Sequence, residues 1–173
     1  MIWPAIEPIA SKRVLLEPLA AEHAAEMMTV LADPSLYEFI GGRPPTLEQL
    51  QRRYAAQMIG HSEDDAQWWL NWIVALPEHP RLIGYVQATV EHRPDALEAN
   101  VAWVISPHFQ GRGLASEAAS AMTRWLTAAG VDHYVAYIHP NHAASAAVAR
   151  RQGLCPTDVI EDNEVRWQSL DDG

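Results

Sequence analysis

The sequence predicts an α/β domain of the α+β kind: a mixed sheet of seven strands with helices on both faces. Three observations carry this. Strand-like and helix-like segments alternate in the order βα, α, βββ, α, β, α, ββ. Two strand segments are joined through Pro-Glu-His-Pro, the mark of a hairpin. A long Ala-rich segment repeats apolar residues at Leu114, Ala118, Met122, Trp125 and Ala129, the stripe of a helix packed on a sheet. With 173 residues, 49% of them hydrophobic, the chain suffices for one core, and without an internal repeat or linker residues 1–173 are expected to form one domain.

Residues 13–19 (RVLLEPL) read as the first strand, and residues 21–32 as a helix with Ala24, Met27, Met28 and Leu31 on its apolar side. Pro and Gly mark residues 33–45 as a loop, after which Thr46 is placed to cap a second helix that ends near Gly60. Residues 68–76 and 81–90 form the hairpin strands, and residues 97–106 a fourth strand stopped by Pro107. The striped helix follows, closed by Gly130; residues 133–138 are the fifth strand. Asn141 is expected to cap a further helix ended by Gly153, and two strands around Glu-Asp-Asn finish the chain.

Composition narrows the function classes. A formal net charge of −10 disfavours nucleic acid as a partner and suits a cationic or amine substrate. No apolar run reaches the roughly 18 residues of a membrane span, so no membrane partner is expected. The start of the chain has no signal-peptide pattern, and one cysteine cannot form an internal disulfide, so the expected location is cytoplasmic.

The turn between the fourth strand and the striped helix, Phe-Gln-Gly-Arg-Gly-Leu-Ala, sets two glycines around an arginine where a helix begins. Glycines let an anion approach the backbone, and the first N–H groups of a helix attract it. A dinucleotide fingerprint fails because Ser116 stands in place of its third glycine, and a P-loop fails for want of a lysine. Gln/Arg-x-x-Gly-x-Gly/Ala is matched by Gln110, Gly113 and Ala115.

With that turn the chain resembles the GNAT superfamily of acetyl-CoA-dependent N-acetyltransferases. The likeness runs from about Ser11 to Leu170 through "KRVLLEPLAAEHAAEM", "DPSLYEFIGGRPPTLEQL", "LIGYVQATV" and "VAWVISPHFQGRGLASEA". These look like the branch of the ribosomal-protein alanine and serine N-acetyltransferases, which also holds enzymes for drugs and small amines. The resemblance implies a mostly antiparallel sheet whose fourth and fifth strands splay apart to admit the pantetheine arm. It implies acetyl-CoA as co-substrate, held by Trp103, Val104 and Ile105 of the strand, by residues 110–115 (Gln110, Gly111, Arg112, Gly113, Leu114 and Ala115) around the diphosphate, and by Asn141 and Ser145 along the arm.

The implied reaction moves an acetyl group directly onto a primary amine, either the α-amine of a protein or peptide or that of a small molecule. A main-chain N–H at Val104 is the expected oxyanion donor. By motif register the branch's basic carboxylate falls on Asn100, which cannot act as a base; Glu98, on the same strand face, is the expected catalytic base through water, with Glu91 and His92 as weaker candidates. The tyrosine that protonates the thiolate in many members falls on Ala149, so Ser145 is the catalytic acid candidate. Tyr37, Phe39, Trp69 and Asn100 are expected to bind the acceptor. His139 and His142 lack further ligands at metal spacing, so no metal is expected. Cys155 is expected to be a packed small hydrophobe. The chain is expected to act as a monomer or homodimer. A non-catalytic acyl-CoA-binding regulatory module is the rival, since the acid and base positions depart from the pattern.

Overall fold

A computed structural model describes residues 3–170. The described residues form one sheet of eight strands: β1 (Ile9–Ala10), β2 (Leu15–Pro18), β3 (Gln67–Leu76), β4 (Arg81–His92), β5 (Leu97–Ile105), β6 (His133–Ile138), β7 (Leu154–Glu161) and β8 (Glu164–Ser169). Their order across the sheet is β1-β2-β3-β4-β5-β6-β8-β7. Seven of these are the predicted strands. The extra one, β1, pairs Ile9 and Ala10 with Leu16 and Leu15 and is too short to show a period in the sequence.

Helices α1 (Ala24–Val30) and α2 (Leu47–Gln57) lie on one face, α3 (Leu114–Ala128) and α4 (Ala143–Arg151) on the other. Residues 21–23 ahead of α1 and residues 34–37 in the following loop are single 3₁₀ turns. Strand alternation divides the core accordingly. Trp68, Leu70, Trp72 and Val74 of β3 pack toward α3, while Ile73 and Ala75 pack toward α1 and α2. Thr46 caps α2 as expected: its hydroxyl accepts from Gln49 N–H at 3.2 Å, and the Gln49 side chain accepts from Thr46 N–H at 3.0 Å. His142, not Asn141, occupies the cap position of α4 and makes no side-chain cap bond there, because Asn141 sits one residue outside the first turn.

The sheet divides at β5. β5 pairs with β4 antiparallel along its whole length, Leu97 to Ile105. Its pairing with β6 is parallel and covers Glu98–His133, Ala99–Tyr134 and Asn100–Val135. Beyond that, residues 135–138 of β6 pair with β8. From Val101 onward β5 and β6 diverge, which is the predicted splay.

At the far end of the diverging stretch β4 places Gly84, the partner of Ile105, where an added Cβ would run into the carbonyl of Val104. A side chain there would push β5 away from β4. Gly84→Ala is expected to cost about 1–3 kcal/mol, the usual toll of overpacking, measured as a lowered denaturation midpoint at unchanged slope.

Candidate active site

The peptide groups of β5 alternate between its two neighbours. Arg93 N–H bonds the carbonyl of Ala96 at 2.8 Å, and Ser106 N–H bonds that of Ile83 at 2.7 Å. Both pairs belong to one antiparallel register, so Glu98, Asn100, Ala102 and Val104 face β4 with their N–H and C=O groups. Leu97, Ala99, Val101, Trp103 and Ile105 face β6. Leu97 confirms the phase: its N–H donates to Asp132 Oδ1 at 3.0 Å and its carbonyl accepts from Asp132 N–H at 3.3 Å. The pair Asn100–Val135 uses the Val101 N–H, which bonds the Val135 carbonyl, so the N–H groups left at the edge of the splay are those of Trp103 and Ile105. The expected donor, Val104, is corrected by this alternation, since its N–H is directed at Tyr85 of β4. Its side chain packs toward α1 and α2.

At the end of β5 the chain makes a 3₁₀ turn at Pro107–Phe109 and then enters the glycine turn. Gly111 and Gly113 both hold the left-handed conformation, φ +74° and +75°, and Gly113 is the N-cap of α3. Among the described residues, the N–H groups of Gly111, Arg112 and Gly113 find no acceptor. Leu114, Ala115 and Ser116 precede the first helical bond, Glu117 N–H to Gly113 O at 3.0 Å, so their N–H groups are open as well. Consecutive open amides at a helix start form an anion cradle.

Gln110 does not belong to that cradle. Its N–H bonds Pro107 O at 3.3 Å, and its side-chain amide donates to Ile105 O at 2.8 Å, closing the end of the strand. The Arg112 guanidinium folds back onto His108 O at 3.3 Å and over the Phe109 ring. The Leu114 side chain is buried in the core, so this residue offers only its backbone; Ala115 packs half-buried against the same core. Arg13 braces the turn: it donates to Arg112 O at 2.8 Å and pairs with Glu117 at 2.6 Å.

On the α3–α4 side, Trp103 Nε1 donates to Ser145 Oγ at 3.0 Å, joining β5 to α4 beneath the splay. Because Ser145 Oγ accepts this bond, its own proton is left to donate elsewhere. Asn141 is exposed, its N–H bonded to His139 Nδ1 at 3.1 Å. On the other side, Phe39 stacks on His142 at 4.5 Å between centroids and lies 5.3 Å from His139. Desolvation holds His142 below the usual imidazole range. The Asp33 carboxylate, at the start of this loop, is held below its ordinary range by the Ser35 N–H and hydroxyl and, more weakly, by His108. The loop thus reaches from the end of β5 to the start of α4.

Glu98 is buried, and two guanidinium groups occupy its oxygens: Arg93 at 2.6 Å and Arg166 at 3.0 Å, with His133 at 3.6 Å. It anchors cations from two strand ends, and its expected role as a base is corrected on that ground. Asn100 is exposed at the last rung before the splay, in one cross-strand row with Thr89 and Trp69. Trp69 is half-buried and lines an open groove with Met58 and Ile59. Tyr37 donates its hydroxyl to Leu31 O at 2.9 Å. Cys155 is exposed on β7, not packed as expected, because β7 is the last strand of the sheet. Among the described residues no cluster of His, Cys, Asp or Glu could hold a metal, and no helix is long and apolar enough to cross a membrane.

Sequence inspection missed a cavity of about 220 Å³ between α2 and the sheet. Its polar lining is Arg53, Tyr54 and Gln57 of α2, with Asn71, Tyr85 and Gln87 of the hairpin. The legible signal was a single polar residue in the middle of each apolar hairpin strand: Asn71 and Gln87 are direct cross-strand partners.

A family model described as acetyltransferase (GNAT) domain matches residues 13–154. The chain belongs to the GNAT acetyltransferase family. It is therefore an acetyl-CoA-dependent acyltransferase, and its open amides and splayed strands fit that co-substrate. No curated protein matches the chain. The fold is shared with a GNAT-family acetyltransferase from Bacillus anthracis, at TM-score 0.75 and 17% identity over 96% of this chain and 100% of that one. It is also shared with a RimL ribosomal-protein α-N-acetyltransferase in complex with coenzyme A, at TM-score 0.76 and 16% identity over 95% and 98%. An acetyltransferase from Thermus thermophilus gives TM-score 0.68 and 21% identity over 91% and 95%.

If the cradle is built on the left-handed glycines, Gly113→Ala, which strains an L-residue by about 1–2 kcal/mol, weakens coenzyme A binding about 5- to 30-fold. Isothermal calorimetry on the two proteins checks this.

Proposed function

We propose that this GNAT enzyme acetylates a primary amine by direct transfer, the amine entering from the α1–α2 side of the splay. The observation that carries the reading is the run of open amides at residues 111–116 beside a strand whose Trp103 and Ile105 N–H groups have lost their neighbour. Acetyl-CoA, when bound, supplies a thioester activated toward amines. The chain's residues supply the rest. The amides of Gly111 to Ser116 neutralise the diphosphate. The Trp103 N–H faces the gap as the donor for a developing oxyanion. Ser145, its oxygen fixed by the Trp103 indole, gives its proton to the departing sulfur and is reprotonated through water by the proton the attacking nitrogen sheds. In net terms a C–N bond replaces a C–S bond, and the ammonium proton leaves to solvent.

Glu98 does not stand ready as a base, because Arg93 and Arg166 clamp it. The reaction then draws on the free amine, whose conjugate acid has a pKa of about 10. The expected outcome is a kcat/KM that climbs about tenfold per pH unit from pH 7 toward the acceptor's own pKa. Thiol release from acetyl-CoA across an amine panel measures it. Coenzyme A uptake without turnover on any amine would instead favour the regulatory-module alternative.

Ser145→Ala is expected to lower kcat about 10- to 100-fold, at or below the modest end of general-acid effects because a thiolate is a tolerable leaving group. Its Kd for coenzyme A should shift far less.

A further inference from the structure

The cavity under α2 lies one strand away from the splay. Tyr85 and Gln87 on its floor are the direct partners of Val104 and Ala102 in β5. Strands are about 5 Å apart, so a group in the cavity sits only a few bonds from an amine placed at the edge of β5. Its volume, about 220 Å³, is below that of pockets for drug-sized ligands, which begin at about 300 Å³. It suits a small substituent.

The chemistry of the walls is one-sided. Arg53 is the charged residue among those lining the cavity, and no carboxylate lines it. Among the described residues its guanidinium has no ion pair or hydrogen bond, whereas its neighbour Arg52 pairs with Glu48 at 3.5 Å. Tyr54 is 4% exposed, and its hydroxyl is buried without a partner. Burial pushes that hydroxyl's pKa up to about 12, so it stays a donor at any physiological pH. A buried donor left unpaired costs free energy unless a ligand satisfies it. A guanidinium, a phenol and the amides of Gln57, Asn71 and Gln87 together form a donor-rich site for a planar anion.

We infer that this cavity seats the carboxylate of the acceptor, so that the substrate is a small amino acid-type zwitterion carrying its carboxylate beside the amine that is acetylated. The inference rests on the amine-acetylation reading above and narrows it. Arg53 is then the specificity-determining residue, and a second ammonium group in the acceptor is disfavoured by its charge.

The test compares matched acceptors, free amino acids against their amides, in the wild-type enzyme and in Arg53→Gln, Arg53→Lys and Tyr54→Phe. Calorimetric binding of coenzyme A and the melting temperature are recorded for each protein. The expected result is a wild-type preference for the acid of about 10- to 100-fold in kcat/KM, the worth of a charge-assisted bidentate contact. Arg53→Gln collapses the acid-to-amide ratio toward one; Arg53→Lys retains part of it, and Tyr54→Phe lowers it. Peptides with blocked C-termini, with and without an acidic second residue, form the third arm. Equal rates on acid and amide overturn the inference and leave the acetyltransferase reading standing, as does a ratio that survives Arg53→Gln. Blocked peptides outrunning the amino acids overturn it in favour of a protein N-terminus. Failure to bind coenzyme A, or binding without acetylation of any amine, removes both.

Discussion

Everything at the working end of this molecule follows from β6 leaving β5 after Asn100. A strand inside a sheet normally has both rows of peptide groups paired. β5 keeps its β4 row and loses half of its β6 row, so the middle of the sheet contains a short internal edge. The fold manages part of this deficit itself. The Gln110 side chain takes the last carbonyl, that of Ile105, and Ser106 N–H is returned to β4. The N–H groups of Trp103 and Ile105 are left over, in a place where a ligand with acceptor oxygens is the natural complement. β6 stays anchored as it leaves, because its other edge is paired with β8 over Val135 to Ile138.

The gap would be of little use without something to fix what enters it. The glycine turn begins where β5 ends, so the anion cradle and the open strand edge are parts of one continuous backbone. Arg13, from the approach to β2, clasps both Arg112 O and Glu117 and so ties the turn to the far half of the sheet. The loop after α1 bridges the mouth, with Phe39 stacked on His142 at the start of α4. Elements distant in sequence thus surround a slot that no single one of them forms. Gly84 completes the arrangement from behind, since close approach of β4 to the Val104 carbonyl keeps β5 straight as β6 turns away.

The fold was legible because hydrophobic alternation, the Pro-bounded hairpin and the Ala-rich stripe are local signals that agree with one another. β1 escaped, being two residues long. The turn with its open amides was legible because glycine at a strand–helix junction is a backbone requirement written directly into residue type. Side-chain roles were less so. Gln110 fits the motif yet serves the strand end, and Glu98 sits in the right phase yet is consumed by Arg93 and Arg166, the latter 68 residues away in sequence. Hydrogen-bond phase is similarly silent: that Trp103 and not Val104 faces the gap depends on which rungs of β4 and β5 are bonded, and both phases look alike in sequence. Arg53 reads as one of two surface cations of an amphipathic helix until the packing of α2 puts it in one cavity lining with Tyr54, Asn71 and Gln87.

The charge of the chain illustrates the same division between global and local. A net charge of −10 describes the long-range field, which attracts an ammonium from solution and is screened within about 8–10 Å at cellular ionic strength. Inside the site the balance reverses. Glu98 is matched by two guanidinium groups, Glu91 contributes to the same cluster through Arg93 at 3.4 Å, and Arg53 stands over the neighbouring cavity with no counter-charge in its lining. A zwitterion satisfies both regimes: its ammonium follows the outer field, and its carboxylate is held where the local field is positive. A polycation gains from the first and loses at the second, so the bulk charge that first suggests an amine substrate does not choose among amines; a single residue on α2 does.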